Sequence, residues 1–538
     1  MKRQVVNGRI NSTLFAVTWS VVVFVVAQTT PARAQLSELY PFQYNSVTTS
    51  NYPDGANPMA ELIQGADGNY YTTTNIGGAG TCPGEVEDQI PGCGAVVKIT
   101  PAGGLSVLYS FPYDTSTSTA PDGWFPQAGL VQGKDGNFYG VTTIGGTTAG
   151  LCATSGCGTI FKLTPSGTVT LLHAFCGSDG CGSLTTDGSM PLGRLVLGAT
   201  GKLYGTTYAG SLTDGEYNGG IIFSVSTTGS GYEVLHNFSG NTGSGDGWAP
   251  AAGLTRGTDG NFYGTTELGG SGGLDQGEGT VFKMTPAGKV TILHSFVGSD
   301  GAGSDGSYPK GALVEASDGN FYGTCYSGGA NGTGTVFRIS TKGVFTKIYD
   351  FVAEGASGGI GNYPRAGLIQ ASDGNLYGTA WDGGVYNSGT IYQLTLDGVG
   401  TLEASFDPGT DGFSPLGALV QGSDGRLYVT LQDDGGENSD DVQDQGAISV
   451  LNLQLAAPAP TILSFTPAKA KVGAKVTIYG TSFVGTTSVK FGGVAAPVID
   501  IDGSGVLTVT VPTGAMSGQI SVTNAGGMAV TVKDFTVL

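Results

Sequence analysis

By type and spacing, three histidines, three close cysteine pairs and one acid-rich loop are the groups of this chain best suited to chemistry. His173, His236 and His294 could act as bases or zinc ligands if they converged. They occupy one recurring slot instead, filled elsewhere by Tyr40, Tyr109, Tyr349 and Ala404. A slot that alternates His with Tyr asks for a flat ring with one polar atom. In successive repeats such rings would diverge, which disfavours a zinc site or a His-based triad. The pairs Cys82/Cys93, Cys152/Cys157 and Cys176/Cys181 read as local disulfides of an exported chain, because no His or further Cys stands beside them to complete a metal site. Cys325 takes the place of a threonine, as at Thr142, and reads as a small buried residue. The loop 433–445 (DDGGENSDDVQDQ) carries Asp433, Asp434, Glu437, Asp440, Asp441 and Asp444. That density of oxygen ligands could hold calcium, but the order of a known calcium loop is missing, and a solvated acidic loop is the simpler reading. HExxH, GxSxG and phosphate-loop strings are absent, so no catalytic residue and no cofactor is assigned.

Aromatic residues offer a second kind of chemistry. A DGxxP motif recurs with its prolines at Pro58, Pro126, Pro191, Pro250, Pro309, Pro364 and Pro415, and these loops carry Trp124, Phe125, Trp248, Tyr308, Tyr363 and Phe413; Trp381 opens a later loop. Rings grouped on one face suggest a sugar or protein surface, and the plainer alternative is that each ring staples its loop to a neighbouring repeat. A polar slot reads Gln64, Gln132, Leu197, Arg256, Glu315, Gln370 and Gln421. Its break at Arg256 and Glu315 predicts a salt bridge between adjacent repeats. The alternative is an active site in a central channel. A lyase or glycosidase there would need paired carboxylates about 5–10 Å apart.

The elements that position these residues come from a repeat. DGNFYG stands at 135–140, 259–264 and 318–323, DGNLYG at 373–378, and weaker copies at 67–72, 200–205 and 424–429. Seven copies spaced by about 50–70 residues fall in the range of solenoids and propellers. Each unit holds four short β-type runs, shown in the second unit by GLVQG, NFYGVTT, GTIFKLT and VTLLHAF. Four strands joined by Gly/Pro/Asp turns make one antiparallel sheet, and seven in series predict an all-β seven-bladed β-propeller. From the proline to the turn glycine there are ten positions in all seven units. From the glycine opening the third strand to the Phe ending the fourth there are seventeen, eighteen in one unit. The second-to-third connection, by contrast, runs from 23 positions in the first unit to 12 in the fifth. One face of the disc is therefore tight, and the other carries the length variation and the cysteine pairs, where binding usually resides. The seventh unit lacks a fourth run, and LSELYPF at 36–42 matches LSVLYSF at 105–111. The mature N-terminus is predicted to supply that strand, which avoids open sheet edges.

After a Pro/Ala linker at 456–460, residues 461–538 lose the repeat. The VGAKVTIYGTSF stretch, VKFGG, Val511-Pro512 and Phe535-Thr536-Val537 resemble an IPT/TIG domain, which implies an immunoglobulin-like sandwich and a binding or spacer role. The DGNFYGTTxxGG and GTVFKLTPxG strings resemble the GloVer-type tandem repeat of exported bacterial proteins. That likeness implies export and a propeller-like body over 35–455 and brings no functional residue with it.

Residues 1–34 read as a secretory signal, with basic Lys2, Arg3 and Arg9, an apolar run at 14–26 and the small-x-small site Ala32-Arg33-Ala34. That run is shorter than a membrane span of roughly 20 residues. Net charge is −19, and removal of the four basic residues of the leader leaves −23, which repels phosphate backbones and argues against nucleic acid. The expected protein is a monomer, secreted, periplasmic or at the cell surface, without a transmembrane span. It recognises a glycan or protein through the variable face; the alternatives are a polysaccharide-acting enzyme and a structural envelope component.

Overall fold

A computed structural model describes residues 35–43, 52–79, 82, 92–114, 120–146, 156–175, 187–210, 219–239, 245–270, 277–298, 304–352, 359–433, 445–502 and 506–538. The leader lies outside them. So do Cys152, Cys176, Cys181 and the acidic residues of the 433–445 loop beyond Asp433.

The described residues are all β, without a helix. The repeat region forms six four-stranded antiparallel sheets and one five-stranded sheet, in a propeller-like series. In the second unit the strands are Val131–Gln132, Phe138–Thr142, Thr159–Leu163 and Val169–Ala174. The second and third strands are buried almost throughout, whereas the fourth is half-exposed. This gradient explains the composition: the inner strands have sheets on both faces and are Phe/Tyr/Ile/Thr-rich, while the outer strand mixes polar and apolar residues. First strands are only two residues long. Their approach segments pack backbone to backbone, and a Cβ on Gly311 would lie 2.5 Å from the Gly367 nitrogen.

The DGN turn is a hydrogen-bonding device. Asp259 accepts from the Asn261 amide N–H, the Asn261 side chain, the Tyr263 hydroxyl and Lys283. Asp67, Asp135, Asp318 and Asp373 repeat the Asn and Tyr bonds. So Asp, Asn and Tyr recur at two-residue spacing because one carboxylate ties the turn to the strand that follows. The turn glycine, Gly136, takes φ +74° with open space around it, so backbone conformation alone requires it.

Across the second and third strands, residue sizes compensate. Gly140, Gly205, Gly264 and Gly323 each face a Phe, namely Phe161, Phe223, Phe282 and Phe337, and Gly378 faces Tyr392. In the first unit Thr72 faces Val97, and in the seventh Val429 faces Ser449. The added bulk on one strand is removed from the other, which favours an even sheet-to-sheet spacing.

Adjacent sheets are joined by three recurring contacts. The Tyr of DGNFYG stacks on the next unit's second strand, as in Tyr71–Phe138, Tyr204–Phe262 and Tyr263–Phe321, at centroid distances of 4.1, 4.3 and 3.8 Å. The polar-slot oxygen accepts a backbone N–H from the preceding unit's turn, as Gln132 does from Ala66 and Gln370 from Ser317. Third, the N–H of the residue before each motif proline donates to a carbonyl at the start of the preceding unit's third strand, as Tyr308 does to Glu278. The seventh and first units share all three: Tyr428 stacks on Tyr70 at 4.1 Å, Gln64 accepts from Ser423, and Asn57 donates to Gln445. Gln35–Pro41 pairs antiparallel with Ala447–Asn452 in the seventh sheet, and Phe42 is buried at its end.

The C-terminal region packs two four-stranded sheets, with a small two-stranded parallel one, around Val476, Ile478, Phe483, Phe491, Leu507, Ile520 and Phe535. Tyr479, on the strand Lys475–Thr481, faces the repeat region. It accepts a hydrogen bond from Lys134, and Arg256 lies over its ring at 5.9 Å.

Candidate binding site

Five of the six rings in the His/Tyr slot have a structural partner. Each third-to-fourth strand pairing slips by one residue next to it, as between Ile160 and Phe161. The slot side chain then meets the aspartate of the following DGxxP loop. His173, His236 and His294 Nε2 lie 3.1, 3.2 and 2.7 Å from Asp187, Asp246 and Asp305, and Tyr40 and Tyr109 donate to Asp54 and Asp122. Asp54, Asp246 and Asp305 also accept the backbone N–H of Gln43, Ser239 and Val297, just past the fourth strand. Turn chemistry within its own loop is thus only part of this aspartate's work, because its partners lie one strand away. In the sixth unit Ile360 replaces the aspartate, and Tyr349 makes no such bond. Each histidine has its own aspartate, so the three do not form a common centre. Burial holds His236 below its ordinary pKa, against the pull of Asp246.

The expected Arg256–Glu315 salt bridge does not form. Glu315 does what glutamine does at this slot and accepts from the Thr258 N–H and hydroxyl of the preceding turn. Arg256 points instead toward Ser464 and the Tyr479 ring. With Leu197 and Arg256 unable to accept, the inter-unit bond lapses at two consecutive junctions. Those are the junctions where Lys134 and Arg256 hold the C-terminal domain.

Cys82 and Cys93 form a disulfide, and Cys157 is also disulfide-bonded. Cys325 is fully buried. Among the described residues no group of three His, Cys, Asp or Glu could hold a metal ion.

The aromatic candidates separate into four situations. Trp124 is buried and stacks on Phe125 and Tyr113, holding its own loop. Trp248 and Phe413 are half-buried in their loops. Phe125, Tyr308 and Tyr363 take φ of 54–56° at the residue before proline, a costly conformation that the inter-unit backbone bond fixes in every unit. Burial, with Glu278 and Glu267 nearby, raises the Tyr308 pKa.

Tyr363 and Trp381 come together with residues the sequence did not single out. Tyr326 lies 5.3 Å from the Tyr363 ring. Arg365 stands over Trp381 at 4.3 Å and over Tyr326 at 5.1 Å. Lys310 lies over Tyr326 at 4.9 Å and pairs with Glu267 at 3.0 Å. Arg365 Nε is buried without a hydrogen-bond partner. The loop that starts at Trp381 also exposes Val385 and Tyr386, 77% and 52% accessible. Lys310 and Arg365 follow motif prolines, and Tyr326 and Trp381 follow second strands. Aligning the units column by column would have found them, since the other units place Met59, Gln127, Leu192, Ala251 and Leu416 after that proline.

Beside the first strands, the exposed Arg194 pairs through Nε with Glu61 at 3.2 Å. These residues belong to the third and first units, and a Cβ on Gly129 of the second would lie 2.8 Å from the Glu61 carboxyl. The carboxylate here is matched with a cation rather than with a second carboxylate.

The Gloeobacter/Verrucomicrobia repeat matches this sequence over residues 23–209, 91–304, 183–356 and 273–495, and the IPT/TIG domain matches 460–537. No curated protein matches the chain. Among solved structures, it is similar to a fungal alcohol oxidase of the AA5 family in complex with copper, at 14% identity and a TM-score of 0.43, covering 90% of this chain and 98% of that one. It is also similar to a luciferin-regenerating enzyme (13%, TM-score 0.36, 60% and 90% covered). A third is a gluconolactonase from Xanthomonas campestris (13%, TM-score 0.30, 55% and 78% covered). At these scores the likeness carries no statement about activity. The overlapping repeat matches cover residues 23–495, more than half of the chain, so this chain, with its units tied by one set of contacts, belongs to the Gloeobacter/Verrucomicrobia repeat family.

Proposed function

We propose that this is an exported binding protein of the bacterial surface or surroundings, acting as a monomer, which recognises a glycan or protein through the variable-loop face of a closed seven-bladed propeller. In this reading residues 1–34 are the export signal, 35–455 the propeller, 456–460 the linker and 461–538 the IPT/TIG domain. Closure is supported by the three inter-unit contacts that recur between the seventh and first units and by the Glu61–Arg194 pair across non-adjacent units. The observation that carries the binding role is the Tyr326–Tyr363–Arg365–Trp381 cluster. It lies at the variable ends of the sheets, whereas Lys134 and Arg256 engage the IPT/TIG domain at the tight turns. The domain therefore leaves the cluster's face uncovered and can act as a spacer. No helix among the described residues is long and apolar enough to cross a membrane.

Immobilised glycans and a parallel assay for sugar release test the reading. Retention without release supports it. Release would favour a polysaccharide-acting enzyme, and silence in both a structural component. The reading invokes no cofactor; if the 433–445 loop held calcium, chelation would lower the thermal midpoint.

A further inference from the structure

We infer that the cluster around Arg365 is a saccharide subsite for a sugar bearing a single carboxylate, such as a uronate; this rests on the binding role above and names its ligand class. Rings and cations alternate here: Lys310 over Tyr326, then Arg365 over Tyr326 and Trp381. Lys310 is already neutralised by Glu267. Arg365 is not: among the described residues it has no ion pair, and its Nε has no acceptor. The cluster therefore carries one uncompensated positive charge within a chain of net charge −19.

Arg365 lies over two rings, at 5.1 and 4.3 Å, and a guanidinium can take a carboxylate through two parallel N–H bonds. Tryptophan and tyrosine rings beside it offer apolar faces for a sugar ring. The surrounding acidity sets the number of charges. A polyanion with a charge on every sugar would meet repulsion from the rest of the surface, whereas one carboxylate on a neutral glycan would not. Val385 and Tyr386 stand exposed on the connection that starts at Trp381.

The test uses the full-length protein at physiological salt and two probes: a xylo-oligosaccharide carrying one glucuronate branch, and the same compound after reduction of the carboxyl to an alcohol. The acidic probe should bind at least about tenfold more tightly, the value of one charge-assisted hydrogen bond or more. Arg365→Ala should abolish that preference, and Arg365→Lys should restore little of it, since an ammonium keeps the charge and loses the fork. The comparison of probes on unaltered protein needs no variant to fold. Equal binding of both probes, or an undiminished preference in Arg365→Ala, overturns the carboxylate assignment and leaves glycan binding standing. Binding of neither probe, together with silence across immobilised glycans, overturns both.

Discussion

Replacing Gly323 with Thr and Phe337 with Val would convert the fifth unit to the pairing found in the first, where Thr72 faces Val97. A Cβ on Gly323 would lie 2.5 Å from Phe337 Cζ and 2.7 Å from Leu313 Cδ2. Both side chains are buried and cannot withdraw toward solvent. Gly323→Thr alone should therefore cost about 1–3 kcal/mol, the usual range for overpacking. Phe337→Val alone removes most of a buried ring and leaves a cavity beside the glycine, at about 3 kcal/mol. Together the threonine fills the vacated space. The double variant should then be no worse than Phe337→Val, and the two effects should fall short of additivity by about 2 kcal/mol, within the range for touching residues. Urea denaturation followed by circular dichroism and aromatic fluorescence gives these differences from the midpoints at common slope. Additivity within about 0.5 kcal/mol, or a Gly323→Thr variant as stable as the parent, would refute the claim that size compensation sets the spacing of the sheets.

Phe42→Ala should destabilise the protein by about 3–5 kcal/mol, as loss of a fully packed Phe does, because Phe42 anchors the N-terminal strand in the seventh sheet; a thermal midpoint at the parental value would mean that this strand does not fasten the fold. Tyr479→Ala removes the partner of Lys134 and Arg256 and should speed proteolysis of the 456–460 linker, an acceleration whose absence would show that the IPT/TIG domain is held elsewhere. For Asp67 and Asp259, burial acts to raise the pKa, but Lys98 and Lys283, with the Asn and Tyr donors, bring both down to about 2. A carboxylate lowered by folding contributes stability above its ordinary pKa near 4 and loses it as pH falls toward 2. The midpoint should drop across that window, and Asp67→Asn with Asp259→Asn should flatten the drop; equal slopes in parent and variant would count against these turns as the acid-sensitive element.

The periodic part of this protein was legible from the chain alone because its causes are local. A DGN turn needs its Asp, Asn and Gly wherever it stands, and alternating apolar runs of five or six residues make strands in any sheet. The N-terminal run betrayed its place by matching another unit's fourth strand. The exceptions to the repeat were misread, because their partners lie in other units or in the second domain. Arg256 and Glu315 look like an ion pair on paper. In the fold the glutamate reaches back one turn as a glutamine would, and the arginine faces Tyr479, more than two hundred residues later in sequence. Likewise Lys310, Tyr326 and Arg365 are unremarkable within their own motifs. Only the lateral packing of the fourth, fifth and sixth sheets brings Glu267, Lys310, Tyr326, Arg365 and Trp381 into one cluster. Local sequence dictates a backbone that hydrogen-bonds to itself, whereas a site shared between sheets depends on distances that exist only after the sheets have packed.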